Sequence, residues 1–217
     1  MIIKILEHRI SHTEPSILLD NNIIINAPHF SKNISADNVI LSHSHKENQR
    51  GLKRIVSKNM RVFFSKEHEW FFKFHSPSVY NECNHTYLTS KKEIRIGKRK
   101  ITPIPLQHQV QKAYGKLCFG FLIDNRVMIS TPCGKVSRDS LKFFNNLDVL
   151  IIDGGYKQDI LYPDHMSISD IIEKFKGMKI KQIYFLGTHR DYKIDGVIKG
   201  TNTKIDTLTT GDIVKIK

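Results

Sequence analysis

Short apolar runs, each broken by polar or turn-forming residues, recur along the whole chain. Ile2 to Leu6, Ser16 to Leu19 and Ile23 to Ile25 read as strands, with Asp20-Asn21-Asn22 as a turn and Asn26-Ala27-Pro28 closing the third. Val39 to Leu41 is a fourth strand, Gly51 to Lys58 a helix and Arg61 to Phe64 a further strand. Glu67 to Phe74 sets Trp70, Phe71 and Phe74 at helical spacing, which predicts an amphipathic helix with its aromatic side chains in the core. In the second half, strands are predicted at Ile94 to Ile96, Lys100 to Leu106, Leu117 to Ile123, Arg126 to Ser130, Val149 to Ile152, Gln182 to Leu186 and Asp212 to Ile216. Leu117 to Ser130 reads as a hairpin around Asp124-Asn125. Ser167 to Phe175 reads as a helix capped by Ser167. Many strands and few helices, with no linker and no low-complexity segment, predict one α/β domain over residues 1–217.

Composition narrows the picture. A hydrophobic content of 40% supports a sizeable core and excludes a disordered chain. No stretch approaches the roughly 18 apolar residues of a membrane span, and Met1 to Leu6 is too short for a secretory signal, so a cytoplasmic location and no membrane partner are expected. Cys83, Cys118 and Cys133 are too scattered for a disulfide framework or a zinc knuckle, and Cys83 and Cys118 read as buried thiols. The net charge of +13 points to an acidic partner, nucleic acid or a nucleotide, although a lysine-rich surface alone has the same effect. Six of the ten residues from Lys91 to Lys100 are basic and alternate like a hairpin turning at Gly97. That ribbon, with Lys98 and Arg99, either grips phosphates or protects an exposed edge by charge.

The candidate chemistry sits at strand ends. Val39-Ile40-Leu41 runs into Ser42-His43-Ser44-His45, so two imidazoles spaced i, i+2 follow a buried strand. Neutral imidazole is the commonest ligand for zinc and similar metals. A further strand ends in Gln107-His108, another in Asp153-Gly154-Gly155, another in Gly187-Thr188-His189.

The stretch from Val39 to Leu52 resembles the signature of the metallo-β-lactamase superfamily: a strand, His-x-His-x-Asp-His, and a Gly-Leu helix start. The order and spacing of elements from about Ile17 to Ile216 carry the resemblance further. It implies an αββα four-layer sandwich, two sheets face to face with helices outside and a metal site at one edge. It implies His43, His45 and His108 as ligands of a first metal and His189 as a ligand of the second subsite. That second subsite is altered. Glu47 and Asn48 stand where the signature has Asp and His, Asn26 stands where an early Asp is expected, and Pro132 stands where a bridging Asp is expected. Two dications about 3.5–4 Å apart need carboxylates to offset their repulsion. With these replaced, one ion per chain, or none, is expected rather than two; the ion would be zinc or else manganese or iron.

The resemblance also implies roles. Glu47 or Asp153 would steer a water activated by the metal, although Asp153 could equally brace a ligand histidine or cap a turn. His165, in Asp164-His165-Met166-Ser167, either assists near a scissile phosphate or only opens a helix. Arg190, beside His189, could hold a substrate phosphate or close a loop. The reading is a metal-dependent hydrolase of a phosphodiester in RNA, DNA or a small nucleotide. The alternative is a non-catalytic member that keeps the fold and binds nucleic acid or a protein. Self-association into a homodimer is left open.

Overall fold

The computed structural model describes residues 1–7, 15–29, 34–55, 59–108, 117–130, 135–154, 166–186 and 194–217, with Glu47 by its backbone alone. The first half builds a seven-stranded sheet from β1 (Ile2–Glu7), β2 (Ser16–Leu19), β3 (Ile23–Ile25), β4 (Asn38–Ile40), β5 (Arg61–Ser65), β6 (Asn84–Leu88) and, at its far edge, β15 (Ile213–Lys215), in the order β15-β1-β2-β3-β4-β5-β6. The second half builds an eight-stranded sheet from β7 (Ile94–Ile96), β8 (Arg99–Gln107), β9 (Leu117–Ile123), β10 (Val127–Ser130), β11 (Leu147–Asp153), β12 (Ile180–Leu186), β13 (Asp195–Val197) and β14 (Lys204–Leu208). Its order is β13-β14-β12-β11-β10-β9-β8-β7. The helices are α1 (Leu52–Ile55), α2 (Glu69–His75), α3 (Pro77–Glu82), α4 (Arg138–Leu141) and α5 (Ile168–Phe175).

Alternation along each strand sorts side chains into three cores. Ile17 and Leu19 of β2 point between the sheets with Ile3, Ile5, Phe119, Phe121, Ile129 and Ile151. Leu18, on the opposite face, joins Val39, Val62 and Phe64 against Leu52, Phe72 and Val79 of α1, α2 and α3. On the outer face of the second sheet, Leu106, Leu150 and Phe185 pack against Phe144, Ile171 and Phe175. A strand with both faces covered must be apolar at successive positions, which is why β2 and β3 read as unbroken apolar runs. Three buried layers between four structural layers make the αββα sandwich.

The handedness of pairing places the strand ends. β3, β4, β5 and β6 run parallel. β10, β11, β12 and β14 also run parallel. β8 shares their direction, because it is antiparallel to β9, which is antiparallel to β10. A hydrogen bond from Phe119 N to Ser42 O, 2.9 Å, fastens the start of β9 to the chain leaving β4. The C-terminal ends of β4 and β8 therefore meet at one edge, and β5, β10 and β11 end along that edge. Open parallel sheets place their sites at such carboxyl ends.

The predicted strands are present, with bounds moved by one to two residues. Val39 to Leu41 is observed as Asn38–Ile40 and Gln182 to Leu186 begins at Ile180. Residues 56–58 of the helix predicted from Gly51 lie outside the described residues, and the described part is Leu52–Ile55. The orientation of α2 corrects the sequence reading. Phe71 and Phe72 are its buried aromatic residues, whereas Trp70 and Phe74 face outward, 63% and 67% exposed. Phe72 sets the rotation by packing edge-on against Phe64 and Tyr80, with ring centroids 4.9 and 5.4 Å apart. Cys83 and Cys118 are buried free thiols, as expected; Cys133 lies outside the described residues. No described helix is long and apolar enough to cross a membrane.

Candidate metal centre

The segment after β4 must turn sharply, and two residues make that turn. Asn26, at the end of β3, adopts a left-handed backbone with φ of 57°. Its side-chain Oδ1 accepts the Ser42 N–H at 3.0 Å and its Nδ2 donates to the Pro15 carbonyl at 3.4 Å. Asparagine tolerates this conformation better than most residues, because its short polar side chain bonds locally. Gly51 is the second: a Cβ built there would lie 1.7 Å from the Pro28 carbonyl oxygen, so only glycine lets the two segments touch. Between them the 3-10 turn Lys46–Asn48 carries the Asn48 carbonyl to the Ala27 N–H at 2.9 Å.

This frame aims three imidazoles at one point. One ring nitrogen each from His43, His45 and His108 lies within 4.8 Å of the others. Ring centroids are 4.5, 4.9 and 5.1 Å apart with interplanar angles of 63°, 71° and 73°, so the rings surround a common centre like blades. His43 and His108 are buried and His45 is half-buried. A tetrahedral zinc, with bonds of about 2.0–2.1 Å, needs nitrogens about 3.3 Å apart, which small ring rotations supply from here. Three neutral donors and an open fourth direction fit a divalent cation.

The surroundings of His43 show how it would be held. Ser42 Oγ lies 2.8 Å from Nδ1, and Cys118 Sγ lies 3.8 Å from the same atom. With Nδ1–H donating to Ser42 Oγ, Nε2 keeps its lone pair for a cation. Asn48, where the signature has a histidine, packs its amide on this ring, Nδ2 standing 3.0 Å from Nδ1 and 3.3 Å from Nε2. Asn48 Oδ1 is buried with no hydrogen-bond partner among the described residues. A half-turn of the amide would bring that oxygen onto Nδ1–H as a second acceptor. Asn48 thus acts on His43 from behind.

Sequence reasoning missed His68. It closes the 3-10 turn Lys66–His68 that follows β5, is 4% exposed, and has no hydrogen bond of full geometry to either ring nitrogen among the described residues. Burial is the main cause that lowers its pKa from 6.5 to about 4. The Leu117 backbone opposes the push and the His45 imidazole adds to it; β5 pairs parallel with β4, so His68 leaves the sheet at the same edge as His43 and His45. The available signal was positional: Ser65-Lys66-Glu67-His68 leaves a parallel strand at the edge where His43 and His45 leave theirs.

The other predicted site residues fall into three groups. Asp153 ends β11 at this edge, 3% exposed, and is not one of the three residues whose ligand atoms converge. Glu47 belongs to the turn that follows His45, with its side chain outside the description; His165, His189, Arg190 and Pro132 also lie outside the described residues. Lys98 and Arg99 are not brought to the trio. They sit at the opposite end of β8 from His108, nine residue steps from Arg99 or about 30 Å along an extended strand. The Arg99 guanidinium is taken by Asp20 and Asp124, each at 2.6 Å, and so ties the turn between β1-linked β2 and β3 to the turn between β9 and β10.

Comparison with solved structures finds the same fold in proteins of low identity. A diphosphatase of the PhnP family is 12% identical, with a TM-score of 0.78 over 100% of this chain and 98% of that one. Zinc-bound PqqB from Methylobacterium extorquens is 12% identical, TM-score 0.75, and covers both chains fully. The short form of human tRNase Z is 10% identical, TM-score 0.69, again over both full chains. No match is found among curated protein sequences. The model of the beta-lactamase superfamily domain matches residues 25–189, a span that opens at the end of β3 and takes in all three imidazoles, and the chain belongs to that superfamily.

Proposed function

We propose that the chain is a metal-dependent hydrolase of a phosphodiester in RNA, DNA or a small nucleotide, working with a single cation on His43, His45 and His108. The observation that carries this reading is the convergence of three imidazoles at the sheet edge, two of them buried. The similarity to a diphosphatase and to tRNase Z supports a phosphoryl compound as the substrate class. A divalent cation bound there supplies Lewis acidity toward a phosphoryl oxygen and lowers the pKa of a coordinated water to near 7.

The chain's own residues do the rest. Ser42 Oγ is placed to accept from His43 Nδ1–H, and Asn48 packs its amide on the same ring. His68, neutral at physiological pH, adds no positive charge beside the cation. The replacement of aspartate by Asn26 removes a negative charge and leaves a neutral brace for the Ser42 N–H, which suits one cation better than two. We take zinc as the ion, since three imidazoles with an open position suit it.

The test uses His43→Ala, His108→Ala and Cys83→Ala. Both histidine variants should lose bound metal and metal-dependent cleavage of bis(p-nitrophenyl) phosphate and of short oligonucleotides, while Cys83→Ala keeps both. Cleavage that persists in both histidine variants overturns the proposal. Metal binding without cleavage of any phosphodiester would favour the non-catalytic binder, for which the neutral Asn26 and Asn48 already speak.

A further inference from the structure

The outward face of α2 carries two large aromatic side chains that the fold does not use. Trp70 and Phe74 are 63% and 67% exposed, four residues apart, and stack with centroids 5.6 Å apart and planes 15° from parallel. A single exposed apolar residue needs no explanation, but two in contact form a patch, and such patches mark binding surfaces. The rings are also held. Trp70 meets the buried Phe71 edge-on at 4.7 Å and 85°, and Phe74 meets His75 edge-on at 5.0 Å and 84°. Pre-set rings lose little freedom when a flat ligand lands on them.

The position of the patch says what that ligand is attached to. α2 starts immediately after His68, the buried imidazole beside His45. Trp70 is two residues past His68, and Phe74 stands about 9 Å beyond His68 along the helix. A single strand with one phosphate at the imidazole trio, continuing past His68, runs onto this helix. The charge agrees with that orientation. The chain carries +13 overall. In α2 and the turn that leads into it the charged residues alternate in sign: Lys73 pairs with Glu69 at 2.9 Å, and Lys66, over the Tyr87 ring at 5.9 Å, precedes Glu67. A locally neutral, flat, aromatic surface suits a base rather than a phosphate.

We propose that Trp70 and Phe74 form a stacking platform for an unpaired nucleobase of a single-stranded nucleic acid whose backbone runs to the His43–His45–His108 centre. This deepens the hydrolase reading and rests on it for the direction of the strand. Stacking contributes about 1–3 kcal/mol per base and tolerates any base, because every base has a π-face.

Trp70 is the chain's only tryptophan, so its emission reports on the platform directly. The full chain, with and without added zinc, is titrated with oligouridylate, with oligothymidylate and with an abasic deoxyribose-phosphate strand, each about eight nucleotides long. Saturable quenching by both base-bearing strands, and little by the abasic one, is the expected result. Phe74→Ala should weaken binding of the two base-bearing strands about 5- to 150-fold, with an unchanged far-ultraviolet circular dichroism spectrum. Trp70→Ala, followed by anisotropy of a labelled strand, should lose a similar factor. Equal quenching by the abasic strand overturns the proposal in favour of a phosphate contact. No quenching by any strand also overturns it; concentration-dependent sedimentation would then assign the patch to a second copy of the chain, and quenching by phosphatidylcholine vesicles would assign it to a lipid surface. The His43→Ala protein separates this test from the hydrolase reading. Quenching that survives there while cleavage is lost supports both, and cleavage by the wild type without quenching removes the platform alone.

Discussion

Replacing Asn26 tests whether the neutral brace behind the metal centre is what shapes it. Asn26 is fully buried, its Oδ1 accepts the Ser42 N–H at 3.0 Å, and its backbone sits at φ of 57°. Asn26→Ala strands the buried Ser42 N–H, which costs about 1–3 kcal/mol. It also places a Cβ-bearing residue without a compensating side-chain bond in the left-handed region, for about 1 kcal/mol more. The 3.4 Å bond to the Pro15 carbonyl is long, and its loss adds little. The sum is about 2–4 kcal/mol, or a fall in melting temperature of about 5–15 °C for a chain of this size. Asn26→Gly, free of the left-handed penalty, should recover up to about 1 kcal/mol of this. Urea unfolding followed by far-ultraviolet circular dichroism measures all three proteins. Because Ser42 precedes His43, zinc affinity should fall with stability in both variants. A loss of under about 0.5 kcal/mol for Asn26→Ala, the usual range for a featureless surface change, would refute the reasoning.

Further outcomes follow from the same geometry. Protonating His68 is unfavourable only in the folded state, since burial lowers its pKa from 6.5 to about 4. Stability is therefore complete above 6.5 and is lost as pH falls toward 4, on the order of 2–3 kcal/mol by pH 4.5; His68→Gln should flatten urea midpoints over that window, and parallel pH profiles would contradict this. Gly51→Ala sets a Cβ 1.7 Å from the Pro28 carbonyl and should cost at least about 2 kcal/mol by calorimetry, with an unchanged melting temperature as the opposing result. Asn48→Ala removes the amide from the His43 ring and should weaken zinc binding about 10- to 100-fold in competition with a chelating dye, whereas wild-type affinity would show that Asn48 does not position the ligand. Arg99→Ala leaves two half-buried carboxylates and should lose about 1–3 kcal/mol of stability with zinc content intact; loss of zinc instead would contradict its placement far from the trio.

The strands buried on both faces were legible because apolar runs such as Ile23-Ile24-Ile25 have no other physical reading at that length. β6, β13 and β14 were not, because most of their residues are exposed or half-buried, which leaves no apolar pattern. α4 was hidden for the same reason, with only Ser140 buried in it. Trp70 and Phe74 satisfied the helical period, but period alone does not say which face is buried; Phe72 and its contact with Phe64 decide that. At the site, His43, His45 and His108 were visible as strand-end histidines. The roles of Asn48 and His68 depend on which strand ends share an edge, a tertiary fact that spacing does not carry.

The hydrolase reading stands on one cation held by His43, His45 and His108. Elemental analysis of the untagged protein, purified without chelator and then dialysed with zinc, tests it most directly. About one zinc per chain is expected in the wild type and none in His108→Ala. No bound metal, or the same content in wild type and His108→Ala, would contradict it.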